Sequence, residues 1–250
     1  MVSSLLMPRG RPRAADAADR AAPGSTAPTP ILDWEHPRVL AAVRSIAGPA
    51  GGEPAVAALR RAHRWISAEV RPVYSVEEAR PVSEVLRLGR GSCSQRMAVL
   101  EAVARAWGVP TRVRGLVVDG TFWYPRFPRL RRLVPHHVVL AWPEFHVDGA
   151  WLPVSRLFAE TTAARSTGEF TNSGTETLFE ALSRTGIDWD GDGSSACPAS
   201  AGRCDLSAHL RLDLGRFDSR DQLFARHGQT LCTAARFLAE PVLGRRAAGV

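Results

Sequence analysis

Gly89-Arg90-Gly91-Ser92-Cys93-Ser94 is the stretch on which the reading of this chain turns. Two glycines deliver one cysteine to the head of a periodic apolar run, Gln95 to Trp107, which stops at Gly108-Val109-Pro110. The spacing predicts a helix with Cys93 in its first turn and Met97, Leu100, Ala104 and Trp107 along one face. A thiol there lies near backbone N–H groups without intrahelical acceptors and at the positive end of the helix dipole. Both favour thiolate over thiol, which suits a nucleophile. A small apolar residue capping a core helix would use the same sequence, so the surrounding pattern has to decide.

Before this unit, a helix is expected from about His36 to the Gly48-Pro49 break. A second opens at Pro54, and a short segment capped by Ser83 leads into the glycine turn. After it, Thr111 to Val118 reads as a strand turned by Asp119-Gly120, and residues 122–135 form an aromatic and arginine-rich connection. His137 to Val147 reads as a second strand, joined through Asp148-Gly149 to a third at Trp151-Leu152-Pro153-Val154. Beyond Phe158 the pattern weakens to a short helix around Leu178 to Leu182, a turn-rich region over 186–204 and a final helix from about Asp221. Helices first and antiparallel strands after them make an α+β fold, with the cysteine helix packed on the sheet. Residues 1–29 are expected to be a disordered tail, 30–240 one domain and 241–250 a flexible C-terminus.

The chain has 250 residues and a net charge of +7. All 32 basic residues are arginine, with no lysine, which points to a coding preference rather than a phosphate-binding patch, so nucleic acid is not an expected partner. No apolar run approaches the ~20 residues of a membrane span. The opening Met1 to Met7 is too short for a signal-peptide core, and a cytoplasmic protein without a membrane partner is expected. Cys93, Cys197, Cys204 and Cys232 form no CxxC pair, which fits a reducing compartment; Cys197 and Cys204 could pair only on export. No metal or cofactor is expected. Asp188-Trp189-Asp190-Gly191-Asp192-Gly193 resembles the start of a calcium loop, but its twelfth position is Ala199. Cys197, Cys204 and His209 match no zinc spacing.

Gly91-Ser92-Cys93, the Gly108-Val109-Pro110-Thr111-Arg112 segment and the hairpin from Leu140-Ala141-Trp142 to Asp148-Gly149-Ala150-Trp151 together resemble the transglutaminase-like superfamily, a papain-like α+β fold. Leu32 to Pro37, Ile187 to Gly191 and Leu214 to Phe217 are similar to a bacterial branch of it, so the resemblance spans about residues 30–230. It implies a Cys-His-Asp triad, in which a thiolate attacks an amide carbonyl and the resulting thioester is resolved by an amine or water. The implied activity is thiol acyl transfer or peptide and amide hydrolysis on a protein, peptide or amide substrate.

Cys93 falls at the nucleophile position, whereas the histidine position holds Leu140 and the carboxylate position Ser155. At ~3.3 Å per strand residue, His137 is displaced by roughly 10 Å and His136 by roughly 13 Å from that position. Alternation puts His136, Leu140 and Glu144 on one face and His137 on the other. A bulge or slipped register would be needed to make either histidine a displaced base. His146 shares the parity of Leu140 but lies at the far end, past Pro143, and Asp148 is a turn residue. Trp123, Tyr124 and Trp142 are the candidate substrate-contacting aromatics, and the 122–135 connection is either a lid over Cys93 or a packed surface segment. Two readings follow: acyl chemistry through a thioester on Cys93, or a catalytically inactive fold used for binding or as a scaffold.

Overall fold

The computed structural model describes residues 22–47, 53–158, 170, 172–174, 176–185 and 206–248. Helices α1 (Pro37–Ile46) and α2 (Ala55–Glu69) come first, followed by a short strand β1 (Arg71–Pro72) and helix α3 (Val82–Leu88). Strand β2 (Arg90–Gly91), which pairs in parallel with β1, then feeds directly into helix α4 (Cys93–Ala106). Beyond α4 lie strands β3 (Thr111–Asp119), β4 (His137–Val147) and β5 (Ala150–Pro153), helix α5 (Leu178–Thr185), strand β6 (Leu210–Phe217), and helices α6 (Arg220–His227) and α7 (Thr233–Leu243). The larger sheet is antiparallel in the order β5-β4-β3-β6. This is an α+β fold, as expected from the sequence, with α1 to α4 ahead of the larger sheet, α5 between β5 and β6, and α6 and α7 after it.

The sequence places α4 with one face on the core, but twelve of its residues, Ser94 to Arg105, are buried, so the helix runs through the centre of the protein. Its charged residues are accommodated by partners distant in sequence. Arg220 Nε lies 2.6 Å from Glu101 Oε1 with neither side chain exposed to solvent. Arg105 donates to Thr111 Oγ1 at 2.8 Å and to the Ala27 carbonyl at 2.6 Å. Arg96 pairs with Glu180 and lies over the Phe179 ring at 4.4 Å. Buried charges are tolerated where they are paired; Arg105 and Arg220 also use several of their donors, whereas Nε and one terminal nitrogen of Arg96 are buried without a hydrogen-bond partner.

Four points differ from the sequence reading. Strand β6 completes the sheet on the far side of β3, in a segment between the turn-rich region and the last helix to which the sequence reading assigned no element. That last helix is two, because the chain turns at Gly228 with φ 74° before α7 begins. The chain also engages the fold ahead of Pro30: Ser25 exchanges both backbone hydrogen bonds with Thr111 at 3.0 Å, and the Gly24 N–H donates to Asp218 Oδ1 at 2.8 Å. At the other end, the Ala248 N–H donates to the Pro72 carbonyl at 2.9 Å, so residues assigned to a flexible terminus run beside β1. The Asp188 to Gly193 stretch, Cys197 and Cys204 lie outside the described residues. No described helix is long and apolar enough to cross a membrane.

Candidate functional site

The head of α4 is fixed by a reciprocal cap. Ser92 Oγ accepts from the Gln95 N–H at 3.3 Å, and Gln95 Oε1 accepts from the Ser92 N–H at 3.0 Å. The Gln95 amide also donates to Ser75 Oγ at 2.8 Å and to the Glu77 carbonyl at 2.6 Å, which draws the loop over 73–80 onto the helix start. Of the first helical N–H groups, that of Gln95 bonds to Ser92 Oγ and that of Arg96 to the Ser92 carbonyl.

Cys93 opens into a cavity of about 280 Å³. The loop over 73–78 forms one wall and the 122–135 connection another, while Val138 and Leu140 of β4 close the back. The connection is not structureless. It contains 3-10 turns at Gly120–Trp123 and Arg131–Leu133, and its ends are brought together by the Asp119–His137 pair, in the manner of an Ω-loop. Tyr74 and Phe127 both line the cavity and meet ring to ring, with centroids 4.7 Å apart. Arg126 holds the connection down through Asn172 Oδ1 at 2.9 Å and the carbonyls of Gly174 and Glu176.

Gly120 is where the two ends meet. Its N–H donates to the His136 carbonyl at 2.8 Å, and a Cβ at this position would lie 1.8 Å from the Pro135 carbonyl oxygen. Gly120→Ala is therefore expected to force the ends apart at a cost of about 1–3 kcal/mol, as for other overpacked sites. Thermal unfolding checks it, and a midpoint equal to that of the wild type would contradict this close approach.

Among the sequence candidates, Cys93 and Trp123 line the cavity, whereas Tyr124, Trp142, His136 and His137 do not. Trp142 is fully buried in the core, so it packs the sheet against α4 rather than meeting a ligand. Tyr124 sits beside Arg131, whose guanidinium lies 5.9 Å from its ring. His136 and His137 are exposed at the start of β4, and the regular β3–β4 register from Asp119–His137 to Thr111–Phe145 has no bulge that would bring either one round. His146 meets the Trp151 ring at a tilt, centroids 5.0 Å apart, at the other end of the strand. Ser155 is buried in the 3-10 turn Val154–Phe158, away from the cavity. Asp148 takes φ 51° and Gly149 φ 79°, which is the hairpin turn expected of this pair. His209 meets the Phe122 ring edge-on at 5.5 Å, and no cluster able to hold a metal occurs among the described residues.

Sequence reasoning missed Glu78. It lies in the cavity wall with 9% of its surface exposed, and its carboxyl accepts from the Thr230 N–H at 3.1 Å. Thr230 Oγ1 in turn accepts from the Val139 N–H at 3.2 Å, one residue from Leu140. Burial pushes the Glu78 carboxyl up to about 7, against the opposing pull of the Thr230 hydrogen bonds and the more distant Arg220 and Arg236 charges. Two adjacent glutamates before Ala79-Arg80 give no sequence signal of burial, since the loop is clamped by Gln95, Gln229 and Thr230 from elsewhere in the chain.

No curated protein matches the chain. A solved structure from Parabacteroides distasonis, described as a "putative protease", is similar over 50% of this chain and 26% of its own, at 17% identity with a TM-score of 0.33. The present chain thus spans about a quarter of that protein's length. The family model of the transglutaminase-like superfamily matches residues 44–155, from the last turns of α1 through the cysteine helix and the hairpin, and the α+β core built on Cys93 is a transglutaminase-like one.

Proposed function

We propose that this chain is a binding member of the transglutaminase-like fold, whose cysteine cavity takes up an apolar ligand instead of running Cys-His-Asp chemistry. One observation carries the reading: Leu140 lines the same cavity as Cys93, and none of the seven histidines does. A leucine can neither take nor return a proton, so the relay that resolves a thioester has no member at that point. The remaining wall fits a ligand that is mostly hydrocarbon, with Val138, Phe122, Trp123, Phe127 and Leu231 around it. The polar groups there are largely committed within the protein, as Ser94 is to Arg220 and Arg126 to Asn172.

The test is a titration with an uncharged solvatochromic dye, alongside turnover assays on peptide amides with and without an added amine. Saturable dye binding that medium-chain alcohols displace is expected, with no turnover. Leu140→Trp, which fills the cavity, is expected to weaken binding at least about tenfold, or ~1.4 kcal/mol, with the circular dichroism spectrum unchanged. Multiple turnovers that vanish in Cys93→Ala would overturn the reading in favour of cysteine-dependent acyl transfer or amide hydrolysis. The position of Cys93 at the head of α4 favours that second reading.

A further inference from the structure

Helix α7 presents its faces in the reverse of the usual order. Its charged residues turn towards the protein: Arg236 Nε lies 3.1 Å from Glu77 Oε2, while Glu240 accepts from Ser75 Oγ at 2.9 Å and pairs with Arg80 at 2.6 Å. Its large apolar residues turn to solvent, with Phe237 80%, Leu238 75% and Val242 69% exposed. A helix folded onto a core buries such a stripe and exposes its charges.

A second exposed apolar element borders the same cavity as the end of α7. Every residue of Pro128-Arg129-Leu130-Arg131-Arg132-Leu133 is exposed, and Leu130 and Leu133 line the Cys93 cavity together with Leu243, the last residue of α7. The cavity therefore reaches the surface at these leucines. Arg129, Arg131, Arg132, Arg245 and Arg246 are exposed on the two elements, and none of them pairs with a carboxylate among the described residues.

We propose that this rim is a docking surface for an anionic lipid bilayer. Large apolar side chains set among unneutralised arginines complement the interface of such a membrane. The phenyl ring and the aliphatic side chains enter the acyl boundary, and the guanidinium groups stay on their long stems at the level of the phosphates. With eleven residues, α7 lies in that interface and does not span it. A second copy of the chain fits the face worse, because a two-fold pair would set the five arginines of each copy against those of the other. The cavity opening favours the same partner: a hydrocarbon ligand dissolves in bilayers rather than in water, and at Leu130 and Leu133 it would enter without crossing solvent. That last point rests on the apolar-cavity reading above, whereas the exposed face and its charges do not.

The experiment is co-sedimentation of the full chain with vesicles of equimolar phosphatidylglycerol and phosphatidylcholine, and with vesicles of phosphatidylcholine alone. Partition onto the anionic vesicles is expected to exceed that onto the neutral ones at least about tenfold. It is expected to fall when salt is raised from about 0.1 M to about 1 M, which shortens the screening length from about 10 Å to about 3 Å. Phe237→Ser with Leu238→Ser, and separately Arg131→Ser with Arg132→Ser, are each expected to weaken it at least about tenfold. All four side chains are exposed, so the circular dichroism spectrum is expected to be unchanged. Arg38→Ser with Arg64→Ser removes the same charge from α1 and α2, which line no part of the cavity, and is expected to leave partition unchanged. Equal loss in that control, or equal binding to neutral vesicles, overturns the proposal. So does a dimer in sedimentation velocity that Phe237→Ser with Leu238→Ser dissociates while vesicles go unbound, which makes a second copy the occupant. Retention on poly-glutamate without vesicle binding overturns it in favour of an acidic polypeptide. Dye uptake without vesicle binding removes the docking surface and keeps the cavity reading; vesicle binding without dye uptake does the reverse.

Discussion

Arg220→Ala is expected to destabilise the protein by about 3–5 kcal/mol, the cost of leaving a buried charge without its partner. For a chain of this size that corresponds to a fall in Tm of roughly 6–20 °C. Arg220 joins three elements. Its Nε is 2.6 Å from Glu101 Oε1 in the middle of α4, one terminal nitrogen donates to Ser94 Oγ at 2.9 Å, and the other reaches the Ala141 carbonyl on β4 at 3.5 Å. Burial already pushes the Glu101 carboxyl above its ordinary range in spite of this arginine, so without it the acid must take a proton or draw in water. The double variant Glu101→Leu with Arg220→Met is expected to recover most of the loss, because an apolar pair of similar volume has no charge to desolvate. Urea denaturation of the two variants decides the matter. A loss below about 1 kcal/mol in Arg220→Ala would mean that the pair is solvated and that α4 is not held this way.

The same pair marks the boundary of what the sequence makes legible. The start of α4 is readable because its signals are local: the Ser92 cap and Gln95 three residues on bond to each other. The hairpin is readable for the same reason, through alternation and the Asp148-Gly149 turn. The burial of Arg96, Glu101 and Arg105 is not, since their partners Glu180, Arg220 and the Ala27 carbonyl arrive from both ends of the chain. Strand β6 was within reach, because Leu210, Leu212 and Leu214 alternate, but its pairing with β3 is long-range and shifts register near Gly115 and Val118.

At the site, the resemblance puts Leu140 in the histidine position, and that leucine does line the Cys93 cavity. Strand parity likewise kept His137 off that face, and the unbulged register leaves both upstream histidines exposed. Trp142 misled because the feature that makes it part of a motif is its packing: an aromatic on the strand facing α4 fills the core. Glu78 was invisible because a loop carboxyl becomes a cavity group only when other elements close over it.

The pH dependence of stability is expected to separate two buried groups that pull in opposite directions. His63 stacks on Phe179 with centroids 4.2 Å apart and shares a hydrogen bond of 2.6 Å with its carbonyl, and burial lowers it from 6.5 to about 4. The folded state therefore favours the neutral ring, so its contribution is present above 6.5 and is lost as pH falls through 4. Glu78 is raised from 4.5 to about 7, so the folded state binds the proton more tightly than the unfolded one. Its contribution is full below 4.5 and is lost as pH rises through 7. Each shift is worth about 3 kcal/mol at ~1.36 kcal/mol per unit. Over the window common to both, from 4.5 to 6.5, the gain from His63 and the loss from Glu78 offset each other, which leaves the wild type nearly flat there. Glu78→Gln removes only the falling arm, because glutamine keeps the hydrogen bond from Thr230 but cannot ionise. Its stability is expected to rise across that window and to gain about 3 kcal/mol on the wild type between pH 4.5 and 8. Urea unfolding of both proteins at a series of pH values reads this difference directly. A difference that does not change with pH would show that the Glu78 carboxyl is solvated and is not part of a closed cavity wall.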